Sequence, residues 1–118
     1  MVGQMISKNI GRAFVRYDDR NISVIFNGGG FKVSVADLDY IPSEDYLWFS
    51  RLKVATSGQG VGSKIVRIVL KIARRLGKDI LCGPNPYDGR DRMEDLVRFY
   101  KRHGFVDHEE GMLMYYVK

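Results

Sequence analysis

The chain has 118 residues, with 19 basic against 14 acidic side chains and a formal net charge of +5 at pH 7. This length suits one domain, 1–118, with a single core. No apolar run reaches the roughly 20 residues of a membrane-spanning helix and no signal peptide is evident, so we expect a cytoplasmic protein without a membrane partner. One cysteine and two histidines predict neither an internal disulfide nor a metal site.

The first half of the sequence predicts antiparallel strands. Alternating apolar residues, or clusters of β-branched and aromatic residues, occupy 12–17, 21–26, 31–38 and 46–54. The glycines within 27–30 predict a tight hairpin, since glycine reaches the positive φ values that such turns need. We therefore expect an antiparallel meander of about four strands.

The period of the apolar pattern changes from 2 to 3.6 after residue 60. Five apolar residues then fall on one stripe of a helix that ends at Gly77: Val61, Ile65, Val69, Ile72 and Leu76. A short strand over 78–83 follows, which predicts a strand–helix–strand parallel crossover. A second helix over 92–103 and a last strand over 112–117 complete an α+β fold, a mostly antiparallel sheet with two main helices.

Three glycines lie within five positions of "KVATSGQGVGSKIV", residues 53–66, where a predicted strand meets a predicted helix. The first N–H groups of a helix lack intrahelical acceptors and lie at its positive end, so they attract anions, and glycines let an anion approach closely. A Walker loop is excluded because no lysine follows Gly62 directly. A Rossmann fingerprint is excluded because the third glycine is misplaced and several antiparallel strands come first.

This strand, glycine turn and helix, followed by a short strand and "RFYKRHGF", resemble the GNAT superfamily of acyl-CoA-dependent N-acetyltransferases. The family's two signatures fall here as a G-x-G over 60–62 and an aromatic pair followed by "GF" over 99–105. Together the motifs cover about two-thirds of the chain, 46–117. The resemblance implies a compact member with a GNAT-like sheet, which moves an acetyl group to an amine by direct attack.

Acetyl-CoA is the co-substrate that the resemblance implies, with its pyrophosphate at the glycine turn. The turn residues implied to bind it are Gly58, Gln59, Gly60, Val61, Gly62 and Ser63. The pantetheine arm is implied to lie along the preceding strand, at the backbone of Leu52 and Val54. Lys64 and Arg67 are candidates for further charge near the phosphates, and a solvated helix face is the alternative interpretation of both.

Tyr100 aligns with the tyrosine that the family often uses to protonate the departing thiolate, and packing on the inner face of the helix is its alternative interpretation. The strand over 46–54 offers no carboxylate as a general base, so Glu44 and Asp45, just before it, are the nearest candidates. Deprotonation through water is the alternative. Cys82 is predicted to be a core residue, and His103 to interact with the end of its helix.

The sequence departs from the family at several points. Ser57 replaces the usual Arg or Gln, and Met93 stands where many members have an asparagine that contacts the cofactor. The front third is too short for the usual pair of helices, so we expect an open substrate site, or one that a second copy completes in a homodimer.

Two further functions remain open, and the amine acceptor is not named by the sequence. One is a non-catalytic binding protein with the GNAT fold. The other is a basic nucleic-acid-binding module, although an ordinary amphipathic helix also displays such charges on its solvent side.

Overall fold

A computed structural model describes residues 6–10, 13–27, 33–55, 60–85 and 93–117 of the chain. Within these residues the chain forms eight strands and two helices. The strands are β1 (Ile6–Ile10), β2 (Ala13–Tyr17), β3 (Asn21–Asn27), β4 (Val33–Tyr40), β5 (Tyr46–Lys53), β6 (Asp79–Cys82), β7 (Val106–Asp107) and β8 (Leu113–Tyr115). The helices are α1 (Val61–Leu76) and α2 (Met93–Arg102).

All eight strands belong to one mixed sheet, in the order β1-β2-β3-β4-β5-β6-β8-β7. Among the strands that the structure describes, only β5 and β6 pair in parallel, and α1 connects them, so the predicted crossover and the α+β class are confirmed. The meander has five strands rather than four, because β1 pairs with β2 along its whole length. Most of the predicted turn over 27–30 lies outside the described residues.

The core lies between the two helices and one face of the sheet. Strand alternation buries Ile22 and Val24 of β3 and Leu38 of β4, which join the buried residues of α1 and α2 in one cluster. The predicted stripe of α1 is buried at Ile65, Val69 and Ile72, whereas Val61 is half-buried and Leu76, in the last turn, is exposed. Before β5, the described residues form strands and turns and no helix.

Helix α1 ends at Gly77, as predicted. This glycine adopts the left-handed conformation, with a φ of 66°, and its N–H donates to the carbonyl groups of Ala73 and Arg74. The hydrogen bonds satisfy carbonyl groups that a helix end otherwise leaves without partners. Neither helix of the described part of the chain combines the length and the apolar character that crossing a membrane requires.

A wedge opens between the parallel strands β5 and β6, because their pairing stops at Phe49 and Cys82. Strand β6 ends at Cys82, whereas β5 continues to Lys53 with only β4 paired beside it. The β4–β5 register shifts beside Ser50, and such a bulge bends its strand. The last residues of β5 therefore present a strand edge to the wedge, at the end that leads to α1.

Candidate cofactor and catalytic site

Helix α1 begins with an unneutralised positive end. Its first intrahelical hydrogen bond runs from the N–H of Lys64 to the carbonyl of Gly60, at 3.1 Å, so the N–H groups of Val61, Gly62 and Ser63 have no intrahelical acceptor. Among the described residues, no side chain caps this end and no acidic residue lies in its first turn. The N-terminus of α1 therefore has the properties of an anion-binding helix end.

Gly60 and Gly62 are needed for different reasons. Gly60 adopts a φ of 74°, and a Cβ on it would meet nothing within 4 Å, so its backbone conformation is what favours glycine. A Cβ on Gly62 would stand 3.3 Å from Cζ of Phe99 and 3.4 Å from Cγ2 of Val54. Gly62 therefore allows α1 to pack closely on α2 and on the end of β5. Gly58 and Gln59, which were also predicted to bind the cofactor, lie outside the described residues.

The end of α2 brings further polar groups to this turn. Nε2 of His103 lies 3.1 Å from Oγ of Ser63, and its ring packs edge-on against Phe99 with the centroids 5.0 Å apart. Burial lowers the pKa of His103, and the charges of Arg67 and Arg102 lower it further. The sequence pattern predicted only a contact of His103 with the end of its own helix, and no signal in the sequence connects it to Ser63.

Lys64 and Arg67, the two basic residues predicted beside the phosphates, contact different parts of the structure. Nζ of Lys64 lies 6.0 Å from the ring centroid of Phe26, a cation–π contact directed toward β3. Arg67 lies near enough to His103 to affect its pKa, and Cζ of Arg102 lies 6.0 Å from the ring centroid of Phe99. The structure therefore brings Arg67 and Arg102, rather than Lys64, to the neighbourhood of His103.

Tyr100 lies at the narrow end of the wedge. Its ring is buried in edge-to-face contacts with Phe49, Phe99 and Phe105, at centroid distances of 5.8, 5.4 and 5.4 Å. Its hydroxyl lies near enough to the thiol of Cys82, the last residue of β6 that pairs with β5, to lower the pKa of that thiol. Tyr100 is thus a core aromatic whose polar atom lies where the two strands separate, and its role as an acid stays a prediction.

Cys82 is a core residue, as predicted. Burial raises the pKa of its thiol from 9.0 to about 12, although the hydroxyl of Tyr100 opposes the increase. A thiol with this pKa is almost entirely protonated at neutral pH, and a nucleophilic cysteine must be a thiolate. The structure therefore does not support Cys82 as a nucleophile.

Glu44 and Asp45 lie away from the wedge. Both are exposed in the turn before β5, and Asp45 forms an exposed ion pair with Lys78 at 3.4 Å. Asp45 precedes Phe49 by four residues, which is about 13 Å along a strand. Glu44 and Asp45 are thus next to β5 in sequence, but the structure does not bring either of these predicted bases to Tyr100, the predicted acid.

The backbone of β5 lies where the pantetheine arm was predicted. Leu52 of β5 pairs with Ala36 of β4. At this residue the opposite edge of β5 faces the wedge, because the pairing with β6 has already ended at Phe49. Val54 follows the strand and contacts the position of Gly62. The structure therefore brings Leu52, Val54 and the described part of the glycine turn, 60–63, to one side of the wedge.

A cavity of about 430 Å³ lies between α2 and the hairpin of β7 and β8. Its described lining includes both apolar and acidic residues: Pro84, Met93, Val97, Asp107, His108, Glu109, Glu110, Gly111, Met112 and Leu113. Val97 lies three residues before Tyr100 and hence on the same side of α2. Among the described residues, no three histidine, cysteine, aspartate or glutamate side chains group as a metal site.

The comparisons with known proteins find similarity only to solved structures. No family model and no curated protein matches the chain. Among solved structures, it is similar to the crystal structure of the anti-CRISPR protein AcrVA5, with 25% sequence identity and a TM-score of 0.65. The match covers 79% of this chain and 97% of the AcrVA5 chain. The two proteins therefore have similar folds over nearly the whole of AcrVA5.

The protonated state of Cys82 predicts a slow thiol. At pH 8, we expect iodoacetamide to alkylate the folded chain at least about 100-fold more slowly than the chain in guanidinium, because burial removes the thiolate. The chain has one cysteine, so mass spectrometry measures the reaction without ambiguity. Equal rates for the folded and the unfolded chain would contradict the buried, protonated thiol.

Proposed function

We propose that the chain is an N-acetyltransferase of the GNAT type, which transfers the acetyl group of acetyl-CoA to an amine. The observation that carries the proposal is the position of the α1 N-terminus, whose first N–H groups have no intrahelical acceptor and lie at the end of the strand edge that faces the wedge. An anionic group at the helix and an extended chain along the strand edge are what coenzyme A requires. The similarity in sequence to the GNAT signatures supports the same conclusion.

The residues of the glycine turn suit a diphosphate. The N–H groups of Val61, Gly62 and Ser63 would donate to its oxygens, and the positive end of α1 is not neutralised by an acidic residue of its first turn. We assign Gly58 and Gln59 to the same task on the resemblance alone. Leu52 and Val54 would offer backbone groups to the pantetheine arm, in the manner of a strand that adds a partner at its edge.

The chemistry of transfer is assigned to Tyr100. When bound, acetyl-CoA supplies a thioester whose sulfur leaves as a thiolate, and the hydroxyl of Tyr100 at the narrow end of the wedge would donate a proton to it. We place the deprotonation of the amine on water rather than on Glu44 or Asp45, because these carboxylates are exposed and distant from Tyr100. The acetyl group then forms an amide with the amine as the bond to sulfur breaks.

The cavity beside α2 supports an acceptor that carries positive charge. Val97 in its lining lies one helical turn from Tyr100, and Asp107, Glu109 and Glu110 are also among its lining residues. Lys101 partly neutralises Asp107, with Nζ 3.1 Å from the carboxylate. Among the described residues neither Glu109 nor Glu110 forms an ion pair, so both are available to attract a protonated amine before it loses its proton.

The similarity to AcrVA5 supports a second proposal, which concerns the biological role. A match with a TM-score of 0.65 over nearly the whole length of an anti-CRISPR protein favours inhibition of a CRISPR system by this chain. This proposal is separate from the chemistry, because an inhibitor acts either by binding or by catalysis.

Substitution of Ser63 separates cofactor binding from helix stability. Ser63→Asp adds an acidic residue to the first turn of α1, which should stabilise the free protein by about 0.5 kcal/mol and weaken the binding of acetyl-CoA by at least about tenfold. Thermal melting with and without acetyl-CoA measures both effects. For the unsubstituted chain, ligand at 100 times its Kd adds about 2.7 kcal/mol and raises Tm by about 10 °C.

Ser63→Asn is the matched control, since it has the size of aspartate without the charge, and it should keep most of the increase in Tm. Equal increases for the Asp and Asn variants would refute an anion site at α1. The Tm of the unsubstituted chain could instead stay the same when acetyl-CoA is added. Binding of nucleic acid with an affinity that falls steeply with salt would then favour the nucleic-acid module.

Removal of the Tyr100 hydroxyl tests the assigned acid. Tyr100→Phe should lower kcat for acetyl transfer by about 100-fold or more, because general acid catalysis contributes at least that factor, and should leave the affinity for acetyl-CoA unchanged. Tyr116→Phe, at an exposed tyrosine, is the control. Release of thiol from acetyl-CoA in the presence of a panel of amines is the measurement, and an unchanged kcat would remove Tyr100 from the mechanism.

The biological proposal predicts protection of a phage. In bacteria that target the phage with a CRISPR system, expression of the chain should raise the number of plaques, because an inhibitor prevents cleavage of the phage genome. Expression of Tyr100→Phe in parallel reports whether protection requires acetyl transfer. The same number of plaques with and without the chain, across the CRISPR types tried, would count against the proposal.

A further inference from the structure

His103 bridges the two helices at the proposed diphosphate site. It follows directly after α2, and its Nε2 lies 3.1 Å from Oγ of Ser63, which belongs to the first turn of α1. The ring also packs against Phe99, the residue that lies next to Gly62. The imidazole therefore touches a residue whose own N–H is one of the free donors of the helix end.

The charged groups that face His103 are cationic. Partial burial of the ring lowers the pKa of His103. The positive charges of Arg67 in α1 and Arg102 in α2 lower it further, because they disfavour another positive charge beside them. Among the described residues, no carboxylate forms an ion pair with His103. Strand β8, which packs behind Gly104, offers the uncharged ring of Tyr115. Without an anion nearby, the ring is therefore neutral near pH 7.

An anion at the start of α1 reverses this balance. Its charge offsets that of Arg67 and Arg102 and favours the imidazolium. Both nitrogens of an imidazolium are donors, so Nε2–H then donates to Oγ of Ser63, and the hydroxyl hydrogen of Ser63 is free to donate to the anion. In the neutral ring, by contrast, Nε2 is either a donor or an acceptor, and as an acceptor it takes the hydroxyl hydrogen of Ser63.

We propose that His103 takes up a proton from solvent when a diphosphate binds at the α1 N-terminus, so that the affinity for the coenzyme increases as the pH falls. The inference rests on the proposed function, since it assumes that coenzyme A binds there. His103 acts through Ser63 as a positioning residue and forms no bond to the acetyl group. Each binding event consumes at most one proton.

Isothermal titration of the full chain with dephospho-coenzyme A tests the inference. This probe keeps the diphosphate but lacks the phosphate monoester, which would itself titrate near pH 6. We expect the affinity to increase by about three- to tenfold from pH 7.5 to pH 6, because one proton changes affinity at most tenfold per pH unit. Titrations at pH 7 in buffers of different ionisation enthalpy should show uptake of a fraction of one proton.

The two histidines of the chain provide a matched pair of variants. His103→Gln keeps a side chain that can hydrogen-bond to Ser63, but should bind the probe with an affinity that does not depend on pH and without proton uptake. His108→Gln removes the other histidine, which is exposed in the hairpin between β7 and β8 and lines the proposed acceptor cavity rather than the diphosphate site. In the absence of an acceptor, its binding of the probe should keep the pH dependence and the proton uptake of the unsubstituted chain. Melting curves of both variants establish that they are folded.

The outcomes separate the inference from the proposed function. Binding of dephospho-coenzyme A with the same affinity across the pH range, or loss of the pH dependence in His108→Gln instead of His103→Gln, would overturn the inference and leave the proposed function in place. Failure of the unsubstituted chain to bind the probe at any pH would overturn both. Proton uptake that vanishes only in His103→Gln would support it.

Discussion

The close approach of α1 to α2 is the constraint on which the candidate site depends. A side chain at position 62 would stand 3.3 Å from Phe99, so only glycine allows the start of α1 to lie this close to α2 without displacing the aromatic ring. This contact goes together with the position of His103, directly after α2, beside the first turn of α1. It also holds α2 so that Tyr100, one residue after Phe99, packs on Phe49 at the narrow end of the wedge.

The wedge depends in turn on how β5 is shared between its two neighbours. Strand β4 stays paired with β5 to Lys53, whereas β6 leaves it after Cys82. The buried rings of Phe49, Tyr100 and Phe105 pack edge to face at the point where the two strands separate. The helix end and the strand edge are thus two parts of one arrangement, in which the proposed anion site lies at the end of the proposed groove along β5.

Much of this fold follows from patterns within single segments. The change of period after residue 60 predicts α1, Gly77 predicts its end, and the order of strand, helix and strand predicts the crossover. Strands β1 and β7 were missed because "ISKNI" mixes polar and apolar residues and β7 has only two residues. Pairing with a neighbour stabilises both, and pairing is not visible in a segment by itself. The bulge beside Ser50 depends on the register of two strands and is likewise absent from the pattern.

The candidate site was predictable only where its residues are consecutive. The turn from Gly60 to Ser63 is one segment and was located from its glycines. The contact of His103 with Ser63 joins residues 40 positions apart. Glu44 and Asp45 precede β5 directly, but they lie far from Tyr100 because the strand extends away from its first residues. Distances across a fold come from how elements pack, and a single sequence does not contain them.

Backbone amide spectra of the ¹⁵N-labelled chain during titration with coenzyme A test the central claim most directly. If the N-terminus of α1 binds the diphosphate, the resonances of Val61, Gly62 and Ser63 should shift together and saturate with a single Kd, with smaller changes along the end of β5. A titration that shifts only residues of the solvent-exposed face of α1, such as Lys71 and Arg75, or that shifts none, would contradict the account.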